Sequence, residues 1–263
     1  MFKKRMVETG QKVTATSRFS NRAENYARFR PGYPDELFQF ITQTMGLLPQ
    51  THIVDIGAGT GLFAEPLLKR GFEVVCIEPN EDMRKVGEER LKKYPSFASI
   101  NSTAEDTGLS PKSVDLITIA QTFHWLDAAA TRLECERILK PNGTVLLAWN
   151  RQRTKTEFEK KYTALRNRYR IGEKGPVQID PSEITRFFTP LEPQFKTFSN
   201  EQLLDFEGLK GQLLSKTYIP LPGHDSYDAM IDELIQLFVA DNVNGLVRIE
   251  YETLLYWGHL NEQ

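Results

Sequence analysis

Across residues 51–149, short runs rich in β-branched residues alternate with stretches whose apolar positions repeat at helical spacing, and this alternation constrains the fold more than any other feature. Parallel strands need a long crossover, which a helix supplies, so the pattern predicts a mostly parallel sheet covered on both faces. The expected strands are 52–56, 73–78, 97–101, 114–120 and 144–149, with helices at 62–70, 81–93 and 128–139. Asp127 reads as the N-cap of the third helix, and Lys140-Pro141-Asn142-Gly143 as a stop followed by a turn. Pro66 inside the first helix would remove a backbone bond at roughly 3 kcal/mol, so a kink or a late helix start is expected there.

Upstream, Pro34 and Asp35 open an amphipathic helix to about residue 45, with Leu37, Phe38, Ile41 and Met45 on one face. Before it, residues 17–33 interleave Phe19, Tyr26, Phe29 and Tyr33 with Arg18, Arg22, Arg28 and Arg30. No continuous apolar face fixes this arm, and we expect a mobile lid over 19–33. Downstream, 156–169 reads as a helix, 172–176 as a loop, 194–206 as a strand, 227–239 as an amphipathic helix and 246–257 as a last strand. The expected organisation is a single domain over 1–263, with an arm and helix in 1–48, the sheet core in 49–150, and a helical lid or insertion plus the end of the sheet in 151–263.

Lys plus Arg, at 33, nearly balance Asp plus Glu, at 35, so no field strong enough to favour nucleic acid or an anionic membrane is expected. Cys76 and Cys135 lack metal-ligand spacing and read as buried thiols. No run approaches the ~18 apolar residues of a membrane span, and the expectation is a cytoplasmic monomer or homodimer without a metal.

Chemistry is concentrated in Ile53-Val54-Asp55-Ile56-Gly57-Ala58-Gly59-Thr60-Gly61, where a strand runs into three glycines at alternate positions and then a helix. A tight turn needs unusual backbone angles, and a ligand lying on the backbone needs the space a Cβ would fill. Leu62 stands where a dinucleotide fingerprint wants glycine or alanine, and no Gly-Lys-Ser or Gly-Lys-Thr follows for a phosphate loop. The second strand ends at Glu78, 23 residues beyond Asp55, where a ribose-binding acid belongs and where a carboxylate accepts from both ribose hydroxyls.

This loop, Glu78, Ala104-Glu105-Asp106 after the third strand and Lys140-Pro141-Asn142-Gly143-Thr144 before the fifth resemble the ordered motifs of class I S-adenosylmethionine-dependent methyltransferases. Tyr26-Ala27-Arg28-Phe29-Arg30-Pro31-Gly32-Tyr33-Pro34 and Gln121-Thr122-Phe123-His124-Trp125 are similar to segments of the methyltransferase type 11 proteins and their trans-aconitate methyltransferase-like members. The resemblance spans about 19–149. It implies a Rossmann-like α/β fold with a seven-stranded, mostly parallel sheet whose last strand is antiparallel, carrying an N-terminal lid and a helical insertion. It also implies S-adenosyl-L-methionine as cofactor, with Asp55 near its ammonium, Ala104 and Glu105 bordering the adenine, and Asn80 and Met83 flanking the nucleoside. The full expected cofactor set is Asp55, Gly57, Ala58, Gly59, Gly61, Glu78, Pro79, Asn80, Met83, Ala104, Glu105 and Gln121.

Ligands of open α/β sheets lie beyond the carboxyl ends of the strands, so 120–125 should face the transferable methyl group. His124 and Trp125 are the candidate catalytic residues, and Tyr26, Arg30, Tyr33, His124 and Trp125 the candidate acceptor-binding set. An amine, phenol or carbon acceptor would need His124 as a base, whereas a carboxylate would need none, and Trp125 with Arg30 or Arg28 would hold it. A small-molecule acceptor is expected, with carboxylate O-methylation preferred. The alternatives are methylation of RNA or protein, a nicotinamide oxidoreductase, and a non-catalytic adenosylmethionine-binding module.

Overall fold

The computed structural model describes residues 22–172 and 180–261. In chain order the elements are α1 (Ala23–Phe29), α2 (Asp35–Thr44), β1 (His52–Ile56), α3 (Ala64–Lys69), β2 (Glu73–Ile77), α4 (Glu81–Leu91), β3 (Phe97–Ile100) and β4 (Val114–Ala120). They continue with α5 (Ala128–Ile138), β5 (Leu139–Gln152), α6 (Glu157–Arg168), α7 (Pro181–Phe188), β6 (Gln194–Leu204), α8 (Phe206–Leu214), α9 (Tyr227–Asp241) and β7 (Val247–Gly258). The strands form one seven-stranded sheet in the order β3-β2-β1-β4-β5-β7-β6. β1 to β5 pair in parallel, and β7 runs antiparallel to both β5 and β6. This is the Rossmann-like sheet the motifs imply, its last strand reversed.

Local chemistry accounts for most boundaries. Pro66 is accommodated by a late start: α3 begins at Ala64, which puts the proline in the first turn, where its missing N–H has no intrahelical partner to lose. Asn80 caps α4 by accepting from the Met83 N–H, and Asp127 caps α5 by accepting from Ala129 and Ala130. Thr156 and Glu159 close a reciprocal capping box at the start of α6.

The 140–143 segment differs from a plain turn. Helix α5 stops at Ile138, one residue short of the expected 139, and β5 already begins at Leu139, opposite Val114, with Leu116 and Thr144 as the next pair. Lys140 to Gly143 are taken up as a bulge in the ladder, consistent with Pro141 having no N–H to give it. The predicted loop at 172–176 lies outside the described residues except for Gly172 at its edge. So do 17–21 of the predicted arm.

Two apolar layers sandwich the sheet. One packs Leu37, Phe38 and Ile41 of α2 and Leu67 of α3 against Ile53, Val74 and Leu146. The other packs Cys135 and Ile138 of α5 and Phe187 and Phe188 of α7 against Val54, Ile117 and Val145. A third cluster joins α6, α8 and α9 to Val247, Ile249 and Tyr251, so the insertion is built directly on the early part of β7. None of the described helices is long and apolar enough to cross a membrane.

The described part of the arm is fixed by a polar anchor rather than an apolar face. Arg22 is buried and donates to the carbonyls of Leu214, at the end of α8, at 2.7 Å and of Ile219, just beyond it, at 2.6 Å. Seven residues on, the Phe29 ring occupies the space above Gly211 of α8 that any Cβ would fill. On the other side of α1, Arg90 of α4 donates to the Ala27 carbonyl at 3.0 Å. The arm therefore bridges the insertion and the helix that follows β2.

Candidate active site

The glycine loop leaves the carboxyl end of β1 and folds back on β2, with the N–H groups of Gly57 and Ala58 donating to the Ile77 carbonyl at 2.8 and 3.1 Å. Gly57, Gly59 and Gly61 have φ of 66°, 57° and 76°, the left-handed region where an L side chain is strained. A Cβ on Gly57 would overlap the Thr122 side chain, and one on Gly59 would sit 3.1 Å from the Met83 methyl. A glycine the sequence reading passed over completes the fit: Gly87 of α4 lies under the loop, and a Cβ there would fall 2.9 Å from the Gly59 carbonyl oxygen.

Glu78 reaches back to the same loop. Its carboxylate accepts from the Gly59 N–H at 2.8 Å with one oxygen and from the Asn80 N–H at 2.8 Å with the other. Burial raises its pKa against the pull of these two N–H groups. Each carboxylate oxygen keeps a second acceptor site for a hydroxyl. Asp55 is 1% exposed, takes the Thr118 hydroxyl on one oxygen at 2.6 Å, and leaves the other buried without a partner. Burial pushes this carboxyl up to about 7, against the Thr118 hydrogen bond and with the negative charge of Glu78 adding to the rise. Pro79 links Glu78 to the cap Asn80. After β3, Ala104 is buried, and the carboxylate of Glu105 accepts from the Asp127 N–H at 3.2 Å, fixing the 104–105 segment to the start of α5.

Beyond β4 the backbone turns sharply at Gln121, whose φ of 61° is unusual for a residue with a Cβ. The Gln121 side chain is hydrogen-bonded to Tyr33, a phenol whose pKa burial holds well above its ordinary value. Tyr33 in turn packs edge-on to Phe63 at 4.9 Å between ring centres. Tyr26 of α1 is within electrostatic reach of Glu78, and the Arg30 guanidinium stacks over its ring at 4.9 Å. Arg28, the other arginine considered for the acceptor, is exposed and lies over Phe29 instead.

Phe123 to Trp125 form a single 3-10 turn, with the His124 and Trp125 rings 4.8 Å apart. The indole of Trp149 on β5 donates to His124 Nδ1 at 3.3 Å, a long hydrogen bond that assigns the imidazole proton to Nε2. Burial lowers the His124 pKa to about 4. The ring is therefore neutral at pH 7 and presents a donor at Nε2. Among the described residues, no cluster of three His, Cys, Asp or Glu side chains could hold a metal ion.

A family model described as a methyltransferase domain matches residues 54–147. An uncharacterized methyltransferase of Mycobacterium tuberculosis is 36% identical over 134 residues, covering 50% of this chain and 51% of its own, so the match spans about half the length of that relative. An uncharacterized methyltransferase-like protein of Schizosaccharomyces pombe is 30% identical over 242 residues, covering 90% of this chain and 93% of its own. The chain belongs to the S-adenosylmethionine-dependent methyltransferase family. Its fold agrees with a proposed type II methyltransferase of Anaeromyxobacter dehalogenans at a TM-score of 0.67 and 22% identity, over 89% of this chain and all of the other.

For the methyltransferase, the residues present fit S-adenosyl-L-methionine. The orphaned Asp55 oxygen, the glycine turn with no room for a Cβ and the Glu78 carboxylate all meet at the carboxyl ends of β1 and β2. Trp149 and Gly87 were missed for different reasons. Trp149 is 25 residues from His124 and reads as a core strand residue, whereas Gly87 reads only as a weak point in a helix.

Proposed function

We propose that this methyltransferase methylates a carboxylate oxygen of a small acidic molecule. The observation that carries this reading is the state of His124: its Nδ1 is engaged by Trp149 and its pKa lies near about 4, so it is poorly suited to deprotonating an acceptor at neutral pH. A carboxylate has an ordinary pKa of ~4 and needs no base. His124 Nε2, Trp125 and the protonated phenols of Tyr26 and Tyr33 serve instead to orient the acid, with Arg30 supplying charge.

On the cofactor side, Gly57, Ala58, Gly59 and Gly61 carry the amino-acid and ribose portions, with Asp55 facing the ammonium. Glu78 binds the ribose hydroxyls, Pro79, Asn80 and Met83 flank the nucleoside, and Ala104, Glu105 and Gln121 close the far side. When bound, the cofactor supplies a sulfonium-activated methyl group, so the protein's work is alignment, exclusion of water and stabilisation of charge.

The test begins with a screen of small di- and tricarboxylic acids, then phenols and amines, for label from methyl-labelled cofactor. With a carboxylate acceptor and saturating cofactor, the wild-type rate and that of His124→Gln should both be flat above the acceptor pKa, while Trp125→Phe should turn over more slowly at constant aromatic bulk. Turnover of amines or phenols alone, with a histidine-like limb abolished in His124→Gln, would sink the carboxylate reading.

The Asp55 assignment has its own signature. Below about 7 this carboxyl is protonated and loses its attraction for an ammonium, so adenosylhomocysteine affinity should fall as pH drops through that value, by up to about tenfold per unit. Asp55→Asn should flatten the dependence. Titration calorimetry between pH 5.5 and 8 that finds a flat wild-type profile would remove Asp55 from the ammonium site.

A further inference from the structure

The sheet has two edges, and they are guarded differently. β3 offers 4 residues, whereas β6 offers 11, paired to β7 without a bulge from end to end. A long, regular edge strand is an open template for another chain, and proteins usually blunt it with a charge, a proline or a bulge. β6 contains no proline, and its charges are turned back onto the protein. Lys196 Nζ lies over the Phe40 ring at 4.3 Å, and Glu201 pairs with Arg248 of β7 at 2.9 Å. Among the described residues, no backbone group bonds β6 from its outer side.

The pairing of β7 decides which groups of β6 face outward. The Arg153 N–H donates to the Glu250 carbonyl at 2.8 Å, so even-numbered residues of β7 turn their main-chain groups toward β5 and odd-numbered ones toward β6. Odd residues of β7 stand opposite even residues of β6, from Gln194 with Trp257 to Gln202 with Ile249. The N–H and C=O groups of Phe195, Thr197, Ser199, Glu201 and Leu203 therefore point out of the sheet edge. The Glu201 N–H agrees, since it turns to the Asn200 side chain at 2.9 Å. The side chains of the same residues share one face, and all are exposed. Phe195 and Leu203, each 52% exposed, are the large apolar members, and they stand equally far from Ser199 at the middle of the strand.

We propose that β6 pairs antiparallel with β6 of a second copy of this chain, about a two-fold axis at Ser199, joining two sheets into one. A two-fold interface must be self-complementary, because residue i meets j wherever j meets i. With Ser199 opposite itself, the whole of β6 pairs, Phe195 of each copy meets Leu203 of the other, and Thr197 meets Glu201. Moving the axis by one residue sets Phe195 against a carboxylate, that of Glu201 in one direction and of Asp205 in the other. The outward groups exchange about ten backbone hydrogen bonds, as many as a typical protein interface carries. The other face of β6 holds the arm, through Asn200 on the Gly32 carbonyl at 2.8 Å and Gln202 on the Phe29 carbonyl at 3.0 Å, so pairing at the edge leaves the arm in place.

Sedimentation velocity of the full chain at micromolar concentration should show twice the chain mass. Ser199→Pro deletes an N–H that β7 does not use, so the monomer should fold and the dimer should be lost. Phe195→Lys should weaken the dimer at least tenfold, and in both variants circular dichroism and adenosylhomocysteine binding should be unchanged. Crosslinking reads the register, because Cys76 and Cys135 are buried, and opposite Cα atoms of a hydrogen-bonded pair lie about 5.5 Å apart, within disulfide reach. Ser199→Cys should give a covalent dimer on oxidation, whereas Thr197→Cys should not, since it faces Glu201 of the other copy. A monomeric wild type at these concentrations, or a dimer that survives both Ser199→Pro and Phe195→Lys, would overturn the interface. Crosslinking of Thr197→Cys in place of Ser199→Cys would overturn the axis.

Discussion

Glu78→Ala should bind adenosylhomocysteine about 10- to 150-fold more weakly than the wild type, a loss of about 1.5–3 kcal/mol, as expected for removing hydrogen bonds to a charged acceptor. Part of the loss is indirect, because the carboxylate also holds the N–H groups of Gly59 and Asn80 and thereby ties the glycine loop to the start of α4. Glu78→Gln separates the two contributions. It retains one oxygen for the backbone but presents an amide donor where the second oxygen accepted, so its affinity should fall between those of wild type and alanine. Titration calorimetry on folded protein gives the comparison, and an unchanged affinity in Glu78→Ala would remove Glu78 from the cofactor site.

Gly57→Ala is expected to be as damaging, for steric rather than electrostatic reasons. At a φ of 66° an L residue costs about 1–2 kcal/mol, and the new Cβ would overlap the Thr122 side chain, adding the ~1–3 kcal/mol typical of overpacking. The loop or the turn after β4 must shift, and with it the cofactor seat. Thr122→Ser is the informative partner change, because it deletes the methyl that the Cβ strikes and keeps the hydroxyl that donates to the Gly57 carbonyl at 3.0 Å. The double variant should recover only part of the packing share of the lost melting temperature and cofactor affinity, because the Thr122 Cβ and Oγ1 that serine keeps would still lie 2.8 Å from the new Cβ, and none of the backbone share. No recovery at all would mean that the contact with Thr122 is not what makes glycine necessary at this position.

The parallel strands, the glycine turn and the acid at the end of β2 were readable because each rests on local pattern: short β-rich runs alternating with helical spacing, alternating glycines, and a fixed spacing from Asp55 to Glu78. What was not readable depends on distant chain segments meeting. Arg22 in an arginine-rich arm has the sequence signature of a solvated side chain, and only the fold brings it to carbonyls more than 190 residues away. Lys216 and Arg166 are concealed in the same way, since their flanking residues give no sign that the cation is buried. The role of His124 was left open between base and holder, and the proposal that it holds the acceptor draws on Trp149 and on burial, neither of which shows in the local sequence. Helix α7 could have been found, because Asp180-Pro181 is a cap followed by proline at the first helical position. Helix α8 likewise announces itself by the cap Asp205.

The fastening of α1 to α8, by Arg22 on two carbonyls and by Phe29 seated on Gly211, bears on how such chains diversify. The matched family segment, 54–147, carries the glycine turn, Glu78 and His124, while the arm and the insertion lie on either side of it in sequence. A relative that shares the segment can therefore differ in what it methylates. Because the two flanks interlock, however, a transplanted insertion would have to bring its own arm: the unit of exchange is a pair of segments from opposite sides of the core.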